Sequence, residues 1–120
     1  MNKSGAVKVL NAVGLGYGIT SVVAPGALQR VYGSLVTTPE LRQMTRLWGT
    51  ALLSLAAISA TARDEDHDKL LLAVGAGSAL AATAELVAAA TDGLPAKVAL
   101  PGIASSAGIA GACFWARTLS

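Results

Sequence analysis

Long apolar stretches separated by short charged clusters constrain this chain more than any other feature. The sequence of 120 residues is 53% hydrophobic and only 13% charged, and residues 63–69 gather much of that charge in one place. Soluble domains carry roughly 25% charged residues, and a small domain needs them to cover its large share of surface. The sequence therefore predicts an integral membrane protein rather than a soluble helical bundle.

Four stretches are long enough to cross a bilayer, whose hydrocarbon core needs about 20 helical residues. They are residues 6–24, 39–62, 69–91 and 96–117. Thr38 is a suitable N-cap for the second stretch, and Pro39 suits a first helical position. Apolar residues at helical spacing predict a short interfacial helix within residues 25–36. The predicted fold is all-α, a single domain (1–120) forming a bundle of four transmembrane helices.

Lys and Arg residues near the ends of these stretches indicate orientation, because cytoplasmic loops carry an excess of positive charge. The larger group on one predicted side comprises Lys3, Lys8, Arg63, Lys69 and Arg117, and the smaller group comprises Arg30, Arg42 and Lys97. Both termini are therefore predicted to be cytoplasmic. The Ala-rich composition is typical of a high-GC bacterium, so the predicted location is the bacterial inner (plasma) membrane.

Small residues mark the faces on which membrane helices pack. The first helix has Gly14 and Gly18 in a GxxxG spacing, and later helices repeat the pattern in Ala73-Gly77-Ala81 and Ala104-Gly108-Ala112. The second helix has two contrasting faces. Its Leu41, Met44 and Trp48 suit lipid, whereas Arg46 and Gly49 suit the interior.

A layer of polar residues is the main candidate for a functional site. Tyr17, Arg46, Glu85, Ser105 and Ser106 would all lie roughly 10 Å below one surface at a rise of about 1.5 Å per residue. Since an isolated charge in hydrocarbon costs several kcal/mol, an Arg46–Glu85 ion pair is predicted, with Tyr17 and a serine as neighbours. The pair is either a structural clamp or part of a ligand cavity. Alternatively, Arg46 alone extends to the surface.

Three further polar residues carry weaker signals. Asn11 lies deeper than this layer, where a hydrogen bond between helices is favoured over a ligand contact. Cys113, the only cysteine, is predicted to be a small core residue. His67 falls in an acidic turn that is predicted to be solvated, and the chain has no second histidine for a zinc site. The sequence thus predicts neither a metal site nor a cofactor.

Part of the chain resembles a loosely defined group of small bacterial membrane proteins. The resemblance rests on Val23-Ala24-Pro25, on Glu40-Leu41-Arg42 and on Arg46-Leu47-Trp48-Gly49, and it covers roughly residues 10–60. These features are similar to those of DoxX-like and related uncharacterised families of four-helix membrane proteins. The resemblance implies the four-helix fold. It implies no biochemical role, because those families share no agreed one.

Three classes of function stay open on the sequence. The first is binding of a membrane lipid, quinone or other hydrophobic molecule, or service as an accessory subunit or homo-oligomer. The second is a membrane enzyme in which Glu85 acts as a general acid, assisted by Tyr17. The third is a small transporter. Contact between Arg46 and Glu85 would disfavour the enzyme, and scattered Lys and Arg residues argue against nucleic acid.

Overall fold

A computed structural model describes residues 1–33 and 38–120 of the chain. All regular structure in these residues is helical, which confirms the all-α class. The helices are α1 (Lys3–Val23), α2 (Pro25–Val31), α3 (Pro39–Thr61), α4 (His67–Thr91) and α5 (Ala96–Ala116), with a 3₁₀ turn at Asp64–Asp66 before α4.

The four long helices follow the four predicted stretches closely. α1 and α4 begin earlier than predicted, at Lys3 and His67, and the other bounds agree within one residue. The short helix predicted within residues 25–36 is present as α2, which begins at Pro25. Residues 34–36 of that prediction lie outside the described part of the chain.

Local signals account for where these helices begin and end. The backbone N–H of Leu41 donates to Thr38 Oγ1 at 3.1 Å, and Pro39 occupies the first turn of α3. This is the predicted N-cap, which satisfies one of the donors left open at a helix start. After α4, Gly93 has a φ of +71°, a conformation that residues with a side chain rarely adopt.

Three segments are long and apolar enough to cross a membrane: α1, Asp64–Thr91 and α5. The finding agrees with a helical membrane protein. α3 is as long as the others but is not among these three, since Arg42, Arg46 and several hydroxyl side chains lower its hydropathy. A fourth transmembrane helix therefore does not follow from length and composition.

The chain divides into two compact units. The hairpin unit comprises Met1–Ala6 and Asp64–Ser120, and the α1–α3 unit comprises Val7–Arg63. The single domain stays a prediction.

In the hairpin unit, α4 and α5 pack along a seam of mostly small side chains. The seam of α4 contains buried His67, Leu71 and Gly75, spaced four residues apart, so that they share one helix face. The buried residues of α5 are Ala99, Ala110, Cys113 and Ala116. A Cβ at Gly75 would lie 3.1 Å from Cys113 Cβ. Glycine at this position therefore allows the two helices to approach closely.

One prediction for this unit was wrong. His67 is 7% exposed rather than solvated, because it begins α4 on the same face as Leu71 and Gly75. Gly75 lies at the α4–α5 seam, whereas a Cβ at Gly77 or at Gly108 would meet nothing within 4 Å. Cys113 is buried, as predicted.

Ion pairs join three parts of the hairpin unit at one end. The Asp68 carboxylate accepts two hydrogen bonds from Arg117, from Nε at 3.2 Å and from Nη2 at 3.0 Å, and Lys3 Nζ lies 3.3 Å from the same carboxylate. The hydrogen bond to Asp68 raises the pKa of Arg117. Within this unit, the chain's start, the start of α4 and the end of α5 thus share one end, in line with the predicted grouping of Lys3 with Arg117.

In the α1–α3 unit, α1 crosses α3 where two glycines meet. A Cβ at Gly49 would lie 2.8 Å from the Gly18 carbonyl oxygen and 2.7 Å from Ser21 Cβ. Gly18 of the predicted GxxxG spacing is therefore at the contact, whereas a Cβ at Gly14 would meet nothing within 4 Å. The predicted lipid-facing residues Leu41, Met44 and Trp48 are exposed.

A side-chain amide joins α2 to α3 in the same unit. Gln29 is 8% exposed, and its Nε2 donates to the Leu41 carbonyl oxygen at 3.1 Å and to Thr45 Oγ1 at 2.7 Å. Because a buried amide donor is costly to leave unpaired, these bonds fix where α2 lies along the start of α3.

Candidate functional site

An open groove lies on α1 and α2 within the α1–α3 unit. It has a volume of about 350 Å³, and the described residues that line it include Val13, Gly16, Tyr17, Thr20 and Leu28. Residues 13, 16, 17 and 20 recur at helical spacing and so share one face of α1, while Leu28 comes from α2. The groove is mainly apolar, and Tyr17 and Thr20 supply its hydroxyl groups.

The Tyr17 hydroxyl is paired with that of Tyr32, which directly follows α2. Tyr32 Oη donates to Tyr17 Oη at 3.1 Å. The two rings are tilted by 54°, with centroids 6.4 Å apart. Tyr17 is 38% exposed, so its ring forms part of the groove wall without being enclosed by the protein.

The other hydroxyl in the groove is already used by the helix itself. Thr20 Oγ1 donates to the Gly16 carbonyl oxygen at 2.7 Å, a bond that threonine often makes to the preceding turn of a helix. Among residues 1–33 and 38–120, those that line the groove carry no charge. Its chemistry is therefore that of an apolar surface with one phenol.

Two other candidates belong to the same unit but not to the groove lining. Arg46 is exposed, and its Nε donates to the Val22 carbonyl oxygen at 3.4 Å. The side chain of Asn11 is partly buried, and in the described part of the chain its Oδ1 has no hydrogen-bond partner. The hydrogen bond between helices predicted for Asn11 stays a prediction.

Glu85 lies on the contact face between α4 and α5 in the hairpin unit. Ser106 Oγ donates to Glu85 Oε1 at 3.4 Å. A Cβ at Gly102 would overlap the Glu85 carboxylate, so the missing side chain at Gly102 provides the space that the carboxylate occupies. The neighbouring Ser105 is partly buried.

The structure thus brings together two pairs that involve predicted residues, Tyr17 with Tyr32 and Glu85 with Ser106. Arg46 and Glu85 belong to different units. Their ion pair, and the common depth of the polar layer, stay predictions.

Several contributors to these two places were missed by the sequence interpretation. Tyr32 and Leu28 come next to α1 only because α2 turns back after Pro25, a direction that hydrophobic periodicity does not encode. Gly102 had a weak signal, since a glycine directly after Pro101 within an apolar helix indicates a special packing need.

Comparison with known proteins gave no relative. No family model, no curated protein and no solved structure matches the chain. The resemblance to DoxX-like proteins stays a prediction.

Proposed function

We propose that this protein is an integral membrane protein that binds a neutral lipophilic molecule in the groove of α1 and α2. The observation that carries the proposal is the groove itself, an apolar surface with one phenol hydroxyl. Small-molecule sites are typically concave and mostly apolar, with a few polar groups that fix the ligand's orientation. Three helices suited to crossing a membrane support the setting in which such a ligand would be found.

The proposal includes four transmembrane helices in a bacterial inner membrane, with both termini in the cytoplasm. α3 would be the fourth span despite its lower hydropathy. Its close contact with α1 at Gly49 supports this, because a helix sheltered by neighbours tolerates more polar residues than one surrounded by lipid. α2 would lie at the membrane surface, where Arg30 reaches the headgroups.

Two glycines of α1 allow a matched test of the groove. Gly16 lines the groove and Gly14 does not, and a Cβ at either position would meet nothing within 4 Å. Gly16→Leu therefore places a side chain into the groove without a clash at its Cβ, whereas Gly14→Leu adds the same side chain to the same helix elsewhere.

The experiment is solvent extraction of the gently solubilised, purified protein, followed by mass spectrometry of the retained lipophiles. We expect a stoichiometric compound in the wild type and in Gly14→Leu, and at least a tenfold loss of that compound in Gly16→Leu. Retention of bulk lipid alone by all three proteins would contradict the proposal. If a second protein co-purifies and the extract contains no stoichiometric small molecule, the result would instead indicate an accessory subunit of a membrane complex.

A further inference from the structure

Glu85 is the only ionisable residue in the apolar part of α4. Every other residue between Lys69 and Asp92 is apolar, glycine, serine or threonine. The segment Asp64–Thr91, which contains Glu85, is long and apolar enough to cross a membrane. An ionisable side chain within such a segment is costly to insert and is by default a candidate for function.

The Glu85 carboxyl group lies against a small niche on α5, formed by Gly102 and Ser106. The two residues are four positions apart and so share one helix face. A Cβ at Gly102 would overlap the carboxyl group, which occupies the space left by the missing side chain. Ser106 Oγ lies 3.4 Å from Glu85 Oε1, and a hydroxyl can either donate to a carboxylate or accept from a carboxylic acid. Glu85 is partly buried, so the niche covers its carboxyl group only in part.

No positive charge in the described part of the hairpin unit pairs with Glu85. The ion pairs of this unit lie near the start of α4, around Asp68, which is about 25 Å from Glu85 at a rise of 1.5 Å per residue. Lys97 is exposed, and the helical spacing puts it roughly on the opposite side of α5 from Ser106. A charge on Glu85 would therefore be uncompensated within its unit.

The other titratable groups of α4 and α5 near this level supply no positive charge either. Asp92 is exposed at the end of α4, about two turns from Glu85 on the same face, and a like charge there favours the neutral form of Glu85. Cys113 contacts Gly75, about two turns from Ser106 along α5, and a thiol carries no positive charge.

A bound proton is the ligand that suits this carboxyl group best. An unpaired carboxylate in hydrocarbon is costly, whereas the carboxylic acid has no charge and keeps a hydrogen bond with Ser106. A hard metal cation would need several oxygen ligands. Among the described residues, no group of three or more acidic, His or Cys side chains could hold one.

We propose that Glu85 is a proton-binding site of the α4–α5 hairpin, which carries one exchangeable proton within the membrane and shares a hydrogen bond with Ser106. Carboxyl groups of this kind are the usual members of proton relays in membrane proteins. The predicted ion pair with Arg46 is the competing account, because it requires the ionised form. The inference does not depend on the groove of α1 and α2, so either proposal can fail while the other stands.

The first test is labelling of the full-length protein in its native membrane with dicyclohexylcarbodiimide at neutral pH. This hydrophobic reagent needs a protonated carboxyl group, because the acid proton moves to a reagent nitrogen as the carboxyl oxygen bonds to the central carbon. Rearrangement then leaves a stable N-acylurea, which peptide mass spectrometry with fragmentation locates. We expect an adduct at Glu85 and none at Asp92.

Matched variants identify the labelled group. Glu85→Gln should lose the adduct entirely, and Asp92→Asn and Arg46→Gln should keep it. If the wild type is unlabelled and Arg46→Gln becomes labelled, Glu85 is ionised and paired with Arg46, and the proposal is wrong. Protection of Glu85 by sodium at constant ionic strength would also overturn it, because the ligand would then be a metal cation.

A second measurement needs no reagent. The infrared carbonyl band of a carboxylic acid lies above the bands of a carboxylate and shifts when its proton is replaced by deuterium. The wild type at neutral pH should show one such band, shifted in D₂O and missing in Glu85→Gln. Since glutamine has the shape of the protonated acid, this variant should also keep the wild-type melting temperature. A spectrum without the band, or a band that does not shift in D₂O, would contradict an exchangeable proton at Glu85.

Discussion

Gly49 sits where α1 and α3 approach within van der Waals contact. A Cβ at this position would lie 2.7 Å from Ser21 Cβ and 2.8 Å from the Gly18 carbonyl oxygen. One of these neighbours is backbone, which cannot turn aside as a flexible side chain can. Close contacts of this kind replace the hydrophobic effect as the main attraction between helices in a membrane.

Gly49→Ala is expected to destabilise the protein by about 1–3 kcal/mol, as overpacking of a tight contact usually does. Thermal unfolding in a mild detergent, followed by circular dichroism, would measure the loss. Gly14→Ala is the matched control, because a Cβ there meets nothing within 4 Å. Equal melting temperatures for the two variants would show that α1 and α3 do not approach closely at Gly49.

Gly102 and Glu85 allow a sharper test at the scale of single residues. Gly102→Ala alone should destabilise the α4–α5 pair only slightly, because the new methyl group meets the end of the flexible Glu85 side chain, which can turn aside. Adding Glu85→Ala removes the carboxylate and should relieve what remains of that overlap. We expect the double variant to be more stable than the sum of the single effects predicts, by about 0.5 kcal/mol. Additive effects would show that the carboxylate lies elsewhere.

At the scale of helices, the sequence predicted where elements begin and end better than which faces they bury. The predictions of helix bounds succeeded because Thr38, Pro39 and Gly93 are strong local signals. The sequence did not identify the face of α4 that packs on α5, because Ala, Gly and Ser occur nearly all around that helix. Several small-xxx-small registers are then equivalent, and only packing against α5 selects Gly75 over Gly77.

The ion pairs of Asp68 hold the ends of two helices and the start of the chain together. Asp68→Asn would remove both pairs, with Lys3 and with Arg117. We expect faster hydrogen–deuterium exchange in the peptides that contain these two residues, and high salt should produce part of the same change in the wild type. Asp92→Asn, at an exposed acidic residue beyond the other end of α4, is the control. Unchanged exchange in Asp68→Asn would mean that the ion pairs do not order this end.

At the scale of the whole molecule, the candidate site shows what a sequence does and does not encode. Tyr17 was predicted because its depth along the first stretch matches the depths of Arg46 and Glu85. Its partner Tyr32 and the groove wall at Leu28 depend on the course of α2, and they appear only in the folded unit. The predicted Arg46–Glu85 pair is the remaining sequence-based prediction that ties both units to one function.

Photo-crosslinking tests the central claim, a lipophile in the groove of α1 and α2, most directly. A fatty ester with a diazirine near its carbonyl would be added to the wild-type protein in its native membrane, irradiated and mapped by peptide mass spectrometry. We predict adducts concentrated within residues 13–28, strongly reduced in Gly16→Leu and retained in Gly14→Leu. Adducts spread evenly over exposed apolar positions such as Leu80, Leu86 and Leu100 would contradict the account.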